Sequence, residues 1–169
     1  MAARKKKASK KAAGAGKAVA TRPVRRAPRK PDGLDKKTLD LIETTAQNVQ
    51  TRILKRNLPE LSFPTRSLAN VRYDKKVGYF QLGKGRKHRA LSVNTVKSFA
   101  QTLRLMSISK EMIENDDFAT KREAYYVSKN WGECKFNEQT ESDTVMDDIE
   151  ALASLDGLSR EQLRYYPEE

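Results

Sequence analysis

An arginine and a tyrosine four residues apart, Arg122 and Tyr126, are the pair in this sequence best suited to chemistry. Residues at that spacing lie on one face of an α-helix, whereas the adjacent Tyr125 is rotated by about 100°. A phenol has a pKa of about 10 and becomes a strong nucleophile only where a cation or base stabilises the phenolate. A guanidinium supplies that charge, and its planar donors also suit phosphodiester oxygens. The pair therefore has the arrangement that attack of a tyrosine on a phosphodiester would need.

The segment around this pair carries its own helix-start signal. Thr120-Lys-Arg-Glu123 has the pattern of a capping box, in which each side chain accepts from the backbone N–H of the other residue. The first turn of a helix also favours anions. On these residues alone an alternative stays open. Tyr125 and Tyr126 would then lie half in the core and half on the surface, with Arg122 stacked on a ring.

Composition limits the class of protein that the chain represents. Its 169 residues are 37% hydrophobic and 33% charged, which predicts one domain with a modest core rather than a large layered enzyme. Cys134 and His88 are the single cysteine and histidine, so an internal disulfide and a typical zinc site are excluded. No apolar run approaches the roughly 18 residues of a membrane span, and the basic N-terminus lacks the apolar region of a secretory signal. No membrane partner is expected.

The formal charge of +12 is unevenly distributed along the chain. Residues 1–33 hold 12 Lys or Arg and one acid, residues 34–110 hold 16 and 5, and residues 111–169 hold 6 and 16. The first segment has almost no bulky apolar side chains, which predicts a disordered basic tail that attracts nucleic acid without reading sequence. A targeting or solubilising role is the alternative for this tail. Residues 34–169 are predicted to form the folded domain.

The patterning of the domain predicts mainly helices with one small β-hairpin. An amphipathic helix is predicted from the stripe Leu39, Ile42, Ala46, Val49 and Ile53. Residues 67–74 and 77–82 predict two short strands. Further helices are predicted to start at Asn94, Thr120, near Thr140 and at the Ser159–Gln162 capping box. The helix that starts at Asn94 has its predicted core face at Val96, Phe99, Ala100, Leu103 and Met106. Helices beside a small strand pair fit a winged-helix DNA-binding domain.

Basic residues outside the tail are the candidates for DNA contact. The loop Gly83–Arg89 combines two glycines with four basic residues but lacks the Gly-Lys-Ser/Thr of a phosphate-binding P-loop. It is predicted either to contact the phosphate backbone or to form a solvated hairpin tip. His88 within it is interpreted as a surface residue near phosphate rather than an acid or base. The candidate DNA-binding residues are Arg66, Lys84, Arg86, Lys87, Arg89 and Lys121.

Several segments resemble the A subunit of DNA topoisomerase VI, a type IIB enzyme whose family includes the meiotic double-strand-break transesterase. They are Thr120–Tyr126, 137–143 and 144–150, with 64–67, Asn70, 73–74 and 82–83 upstream. The resemblance covers about residues 35–169 and implies a winged-helix domain of the catabolite-activator type. It implies Tyr126 as the nucleophile, assisted by Arg122, and a 5′-phosphotyrosyl bond on each strand of double-stranded DNA. It also implies a homodimer of A subunits that pairs with a B subunit hydrolysing ATP.

One departure from this family concerns its metal. Family A subunits hold Mg²⁺ with the carboxylates of a Toprim domain that includes an Asp-x-Asp motif. This sequence has no Asp-x-Asp, so the Toprim domain is expected to be absent and the winged-helix domain C-terminally truncated, as a fragment or a split-gene product. Asp143, Asp147, Asp148 and Glu150 are expected to be the solvated face of their helix, and no metal ligand is assigned. The isolated chain is therefore expected to bind DNA but to cleave it poorly.

Two other functions stay open from the sequence. The first is a non-catalytic winged-helix DNA-binding protein with a basic arm, in which Tyr126 is inert. The second is an interaction module whose helix over Leu39–Ile53 docks against a partner helix. The expected location is the nucleoid in the cytoplasm, or the nucleus if the source is eukaryotic.

Overall fold

Four α-helices and six short strands form the part of the chain that the computed structural model describes, residues 31–76 and 78–166. The helices are α1 Gly33–Leu54, α2 Val96–Asn115, α3 Lys121–Ser128 and α4 Gln139–Ala153. The strands are β1 Glu60–Pro64, β2 Val71–Asp74, β3 Tyr79–Leu82, β4 Arg86–Ala90, β5 Ala119–Thr120 and β6 Tyr165–Tyr166. The predicted mainly helical class with small β-sheets is confirmed. Residues 1–30, most of the predicted basic tail, lie outside the described residues.

Helix α1 begins at a capping box that the sequence analysis did not identify. Asp32 accepts from the backbone N–H of Asp35 at 2.8 Å, and the Asp35 carboxylate accepts from the N–H of Asp32 at 3.2 Å. Of the predicted apolar stripe, Ile42 and Val49 are buried, but Ile53 is 54% exposed because the last turn of α1 extends beyond the core. No helix among the described residues is both long and apolar enough to cross a lipid bilayer.

Two antiparallel strand pairs are nested between α1 and α2. The inner pair, β2 with β3, is the predicted hairpin and places Tyr73 opposite Phe80. The outer pair, β1 with β4, places Phe63 opposite Lys87. The prediction of a loop over Gly83–Arg89 is therefore wrong for its second half, which forms β4. That strand is largely basic and its partner lies far back along the chain, so no local alternation of apolar residues marked it.

Asn70 joins the inner and outer strand pairs. Its side-chain amide donates to the carbonyl of Thr65 at 2.7 Å, and its Oδ1 accepts from the N–H of Gly85 at 2.9 Å. Its own carbonyl accepts from the N–H of Gly83 at 2.5 Å. A Cβ atom would lie 2.6 Å from Asn70 Oδ1 at Gly83 and 2.7 Å from it at Gly85. The two glycines are therefore required by the close approach of Asn70.

Helix α2 runs through the centre of the core. Its N-cap is Thr95, one residue after the predicted Asn94, and the Thr95 hydroxyl binds the preceding turn, where it accepts from the N–H of Ser92 and donates to the carbonyl of Ala90. The predicted core face is right for part of its length, since Phe99 and Met106 are buried. The apolar residues of α2 buried in the core are Phe99, Leu105, Met106, Met112 and Ile113.

Helix α4 packs against α2, α3 and β1 and completes the core. Its residues Val145, Met146 and Ile149 are buried, and Leu152 is half-buried. The predicted helix at Ser159 is a short 3-10 helix, Arg160–Leu163, rather than an α-helix. It ends early because the next residue, Arg164, takes a left-handed conformation at φ 65° and ion-pairs with α1.

Candidate active site on the tyrosine helix

The tyrosine helix, α3, starts at the capping box that its sequence predicts. The backbone N–H of Glu123 donates to the Thr120 hydroxyl at 3.1 Å, and the N–H of Thr120 donates to the Glu123 carboxylate at 2.7 Å. These two bonds satisfy backbone donors that a helix start otherwise leaves open. The register of Arg122 and Tyr126 on the helix is thereby fixed from its first turn.

Arg122 and Tyr126 lie together on the exposed side of α3. Arg122 Nε donates to Tyr126 Oη at 3.3 Å, and the guanidinium carbon lies 5.8 Å from the centre of the ring. Tyr126 is 53% exposed, so its ring is not sealed in the interior. A cation thus faces the phenol oxygen at a surface that a polynucleotide can reach, which is the arrangement expected from the spacing of the two residues.

Tyr125, the other tyrosine of the pair, makes structural contacts. Its hydroxyl donates to the carbonyl of Asn137 at 3.1 Å. The ammonium of Lys129 lies 4.0 Å from the centre of its ring and donates to the carbonyl of Phe136 at 2.9 Å. Tyr125 and Lys129 therefore hold the segment that leads into α4. The two tyrosines differ clearly in what their hydroxyls contact.

The second tyrosine pair supports the base of the tyrosine helix. β6, which contains Tyr165 and Tyr166, pairs in parallel with β5, whose last residue is the N-cap Thr120. The hydroxyl of Tyr165 donates to the carbonyl of Leu105 at 3.1 Å, and burial raises the pKa of this phenol above its ordinary value. Tyr166 packs its ring 5.2 Å from that of Phe118. Tyr165 and Tyr166 thus have packing roles.

A single carboxylate on α4 connects three separate segments beside the tyrosine helix. Asp147 Oδ1 accepts from Lys121, the first residue of α3, and from Arg160, both at 3.1 Å. Asp147 Oδ2 accepts from Arg66, which precedes β2, at 3.0 Å. Arg160 also pairs with Glu150 through its Nε at 2.8 Å. The start of α3 is therefore tied to α4 and to the base of the β2–β3 hairpin.

The adjacent Asp148 is buried, which corrects the expectation of a solvated acidic face on this helix. It is 4% exposed and accepts from Arg66 at 3.2 Å and from Arg89 at 3.0 Å. Arg89 also donates to the hydroxyl of Thr102 at 2.9 Å and lies 5.3 Å from the centre of the Phe63 ring. The expectation failed because both arginines come from more than fifty residues earlier in the chain. We call Asp147, Asp148 and their cations the α4 ion cluster.

Comparisons with known proteins find relatives of this chain. Residues 97–164 match the model of a family described as type IIB DNA topoisomerase. The chain is 44% identical over 124 residues to the A subunit of type 2 DNA topoisomerase 6 from Methanocaldococcus jannaschii, covering 73% of this chain and 33% of that protein. The corresponding protein of Archaeoglobus fulgidus is 30% identical over 139 residues, covering 80% of this chain and 37% of its own. The resemblance to the topoisomerase VI A-subunit family is confirmed. The chain spans about a third of the length of these relatives.

The candidate DNA-binding residues fall into two groups in this topoisomerase-like domain. Lys84, Arg86 and Lys87 are exposed at the start of β4 and just before it. The other three cations bind acids of the α4 ion cluster, and the side chain of Arg89 is only 11% exposed. Sequence reasoning identified Arg66, Arg89 and Lys121 as cations but missed their partners on α4. The exposed group is thus the better placed for an external phosphate.

Proposed function

We propose that this chain is the DNA-binding and strand-cleaving part of a type IIB topoisomerase A subunit, with Tyr126 as nucleophile and Arg122 as its assisting cation. One observation carries the proposal: Arg122 Nε donates to the hydroxyl oxygen of an exposed Tyr126 at 3.3 Å. The hydroxyl of Tyr125 is instead bonded to the carbonyl of Asn137. The second tyrosine of the pair is therefore the one that an incoming phosphodiester meets.

The proposed reaction is a transesterification. Tyr126 Oη forms a bond to phosphorus, the bond from phosphorus to the 3′ oxygen breaks, and the 5′ phosphate stays on the tyrosine. The phenol loses a proton and the departing 3′ oxygen gains one, so the net number of protons does not change. Arg122 places a positive charge beside the attacking oxygen. A guanidinium has five N–H donors, so the same group also suits the charge that develops on the non-bridging oxygens.

The finer fold assignment belongs to the same proposal. We infer that residues 34–169 form a winged-helix domain of the catabolite-activator type, with α3 as the helix that carries the nucleophile. Helices beside small strand pairs support this assignment. Residues 1–33 would act as a basic arm that binds DNA through its phosphates. Lys84, Arg86 and Lys87 are the proposed phosphate contacts of the domain.

We propose that the metal of the assembly is held by residues other than those that the structure describes. In residues 31–76 and 78–166, no three His, Cys, Asp or Glu side chains are grouped so as to hold a metal ion. The most concentrated acids, Asp147 and Asp148, are already paired with four cations. These residues do not fit Mg²⁺, so no step is assigned to a metal held by them. In the family pattern a Toprim domain would hold it.

The proposed partners follow from the same family assignment. They are double-stranded DNA, a second copy of the A subunit to cut the opposite strand, and a B subunit that hydrolyses ATP. The proposed location is with the DNA, in the nucleoid or the nucleus. Because the chain covers about a third of its relatives, the activity belongs to the whole assembly rather than to this segment.

Covalent trapping in the complete assembly tests the proposal. The chain, joined to the remaining A-subunit sequence and mixed with B subunit, ATP, Mg²⁺ and DNA, should become linked to DNA 5′ ends after denaturation with detergent. Tyr126→Phe should abolish the adduct and Tyr125→Phe should retain it at equal protein stability. Arg122→Gln should reduce the rate by about 10²–10³-fold, the usual cost of one transition-state donor. An adduct that survives Tyr126→Phe would overturn the assignment.

The non-catalytic alternative is favoured by one observation, the exposed cations Lys84, Arg86 and Lys87. It predicts that DNA affinity depends steeply on salt and does not change when Tyr126 or Arg122 is replaced. It also predicts no covalent adduct in the assembly. For the interaction-module alternative, Ile42 is not a suitable position to test. Ile42 is 5% exposed, so a polar residue there would damage the core instead of a docking face.

A further inference from the structure

The β2–β3 hairpin leaves large side chains in solvent on both of its faces. Residues opposite each other in an antiparallel pair share a face, so Tyr73 and Phe80 form one aromatic pair, with ring centres 5.2 Å apart. Tyr73 is 54% exposed, Phe80 is 70% exposed, and Tyr79 on the opposite face is 55% exposed. Rings that stay in solvent add little to the stability of a two-stranded hairpin. The exposed rings therefore suggest a ligand that covers them.

Cations surround these rings. A groove of about 660 Å³ runs between the hairpin and Leu155, and its lining contains the four basic residues Arg72, Lys75, Lys84 and Arg86 against one acid, Asp74. Lys76 adds a charge at the turn, where its backbone N–H donates to Asp74 at 2.8 Å. Within the described part of the chain, none of these five cations lies within ion-pair distance of a carboxylate, in contrast to those of the α4 ion cluster.

The base of the hairpin and the tyrosine helix share one anchor. Arg66, just before the hairpin, and Lys121, the first residue of α3, bind the two oxygens of the same Asp147 carboxylate at 3.0 and 3.1 Å. Asn70 then fixes the hairpin to the outer strand pair. The base of the hairpin therefore lies beside the start of the helix that carries Tyr126.

We propose that the β2–β3 hairpin and its groove extend the DNA-binding surface of the domain, in that the groove holds the phosphate backbone of duplex DNA and the Tyr73–Phe80 pair packs against its sugars. A run of cations without acids matches a polyanion, and a two-stranded ribbon has a width that the major groove of DNA accepts. The site adds Arg72, Lys75, Lys76, Tyr73 and Phe80 to the DNA contacts. It rests on the proposed function in that the ligand is the DNA that Tyr126 cleaves.

Equilibrium binding to a fluorescein-labelled duplex of mixed sequence, followed by anisotropy over a range of salt concentrations, tests this site on the full chain. The triple variant Arg72→Gln, Lys75→Gln, Lys76→Gln should lower the slope of log affinity against log salt by about 2 to 3, since each phosphate contact contributes about 0.9. Its affinity near 0.1 M salt should fall by about tenfold or more. A matched triple, Lys36→Gln, Lys37→Gln, Lys55→Gln, removes the same charge from exposed positions on or just after α1 and should change both quantities far less.

The aromatic pair is tested separately. Tyr73→Ala with Phe80→Ala should weaken binding without altering the salt slope, because rings release no counterions. Leu68→Ala with Val93→Ala is the matched control, since both side chains are 92% exposed and lie off the hairpin. Equal effects of the two triples would overturn the site and leave only diffuse charge. Unchanged DNA affinity in both hairpin variants would overturn it in favour of an acidic protein partner. None of these results depends on covalent trapping by Tyr126, so the proposed reaction and this site can fail independently.

Discussion

Replacement of Asp148 by asparagine tests whether burial or the number of ion pairs decides how much an acid of the α4 ion cluster contributes to the stability of the domain. Asp148 has two arginine partners and a side chain that is 6% exposed, whereas Asp147 has three cationic partners and is 30% exposed. Breaking a buried pair costs about 3–5 kcal/mol, because the remaining charge stays buried without compensation. Exposed pairs are worth about 0.2–1 kcal/mol. We expect about 3 kcal/mol for Asp148→Asn and about 1 kcal/mol for Asp147→Asn.

Urea and thermal unfolding, followed by circular dichroism, measure both values. For a domain of this size 1 kcal/mol corresponds to about 3–4 °C in Tm, so Asp148→Asn should lower Tm by about 10 °C. Combining Asp148→Leu with Arg89→Met should recover part of this loss, because no arginine then remains buried without its carboxylate. If Asp147→Asn proves as costly as Asp148→Asn, contact number outweighs burial and the reasoning is refuted.

Three further predictions concern the hairpin base, the buried phenol and the helix cap. Gly85→Ala should destabilise the domain, and its cost should be smaller in an Asn70→Ala background, because the Asn70 side chain is what a Cβ there would meet; additive costs in a double-mutant cycle would contradict this. Burial raises the pKa of Tyr165, so above pH of about 10 the unfolded chain releases this proton first and stability falls by about 1.4 kcal/mol per pH unit. Tyr165→Phe should lack that part of the decline in alkaline urea titrations, and identical slopes would contradict it. Thr120→Ala should cost about 1 kcal/mol and speed amide exchange in the first turn of α3; unchanged exchange would show that the cap is dispensable.

The features that sequence predicted well are those encoded within a few residues. The Thr120–Glu123 capping box and the shared face of Arg122 and Tyr126 depend on spacings of three and four residues, which the helix repeat translates directly into geometry. The apolar face of α4 was predictable for the same reason. The assignment of Tyr126 over Tyr125 came from the family resemblance, and the contact of Tyr125 with Asn137 supplies a structural reason for it.

The features that sequence missed depend on contacts between distant segments. In the sequence, Asp148 cannot be distinguished from any other acid beside an apolar stripe. Its partners Arg66 and Arg89 lie 82 and 59 residues earlier in the chain. β4 was missed because its partner β1 lies across the whole hairpin. Gly83 and Gly85 suggested a flexible loop, whereas the structure requires them for the approach of Asn70.

The identity of the residue that becomes linked to DNA tests the central claim most directly. A duplex with sulfur in place of the bridging 3′ oxygen offers a thiolate leaving group, and because thiols are far more acidic than alcohols, its departure depends much less on a metal. In the complete assembly with the B subunit and ATP, the A subunit should then form a covalent adduct with the 5′ phosphate, which peptide mapping by mass spectrometry can locate. We predict the phosphate on Tyr126. Its appearance on Tyr125 or on any other residue would contradict the account, as would the absence of any adduct while the duplex is bound.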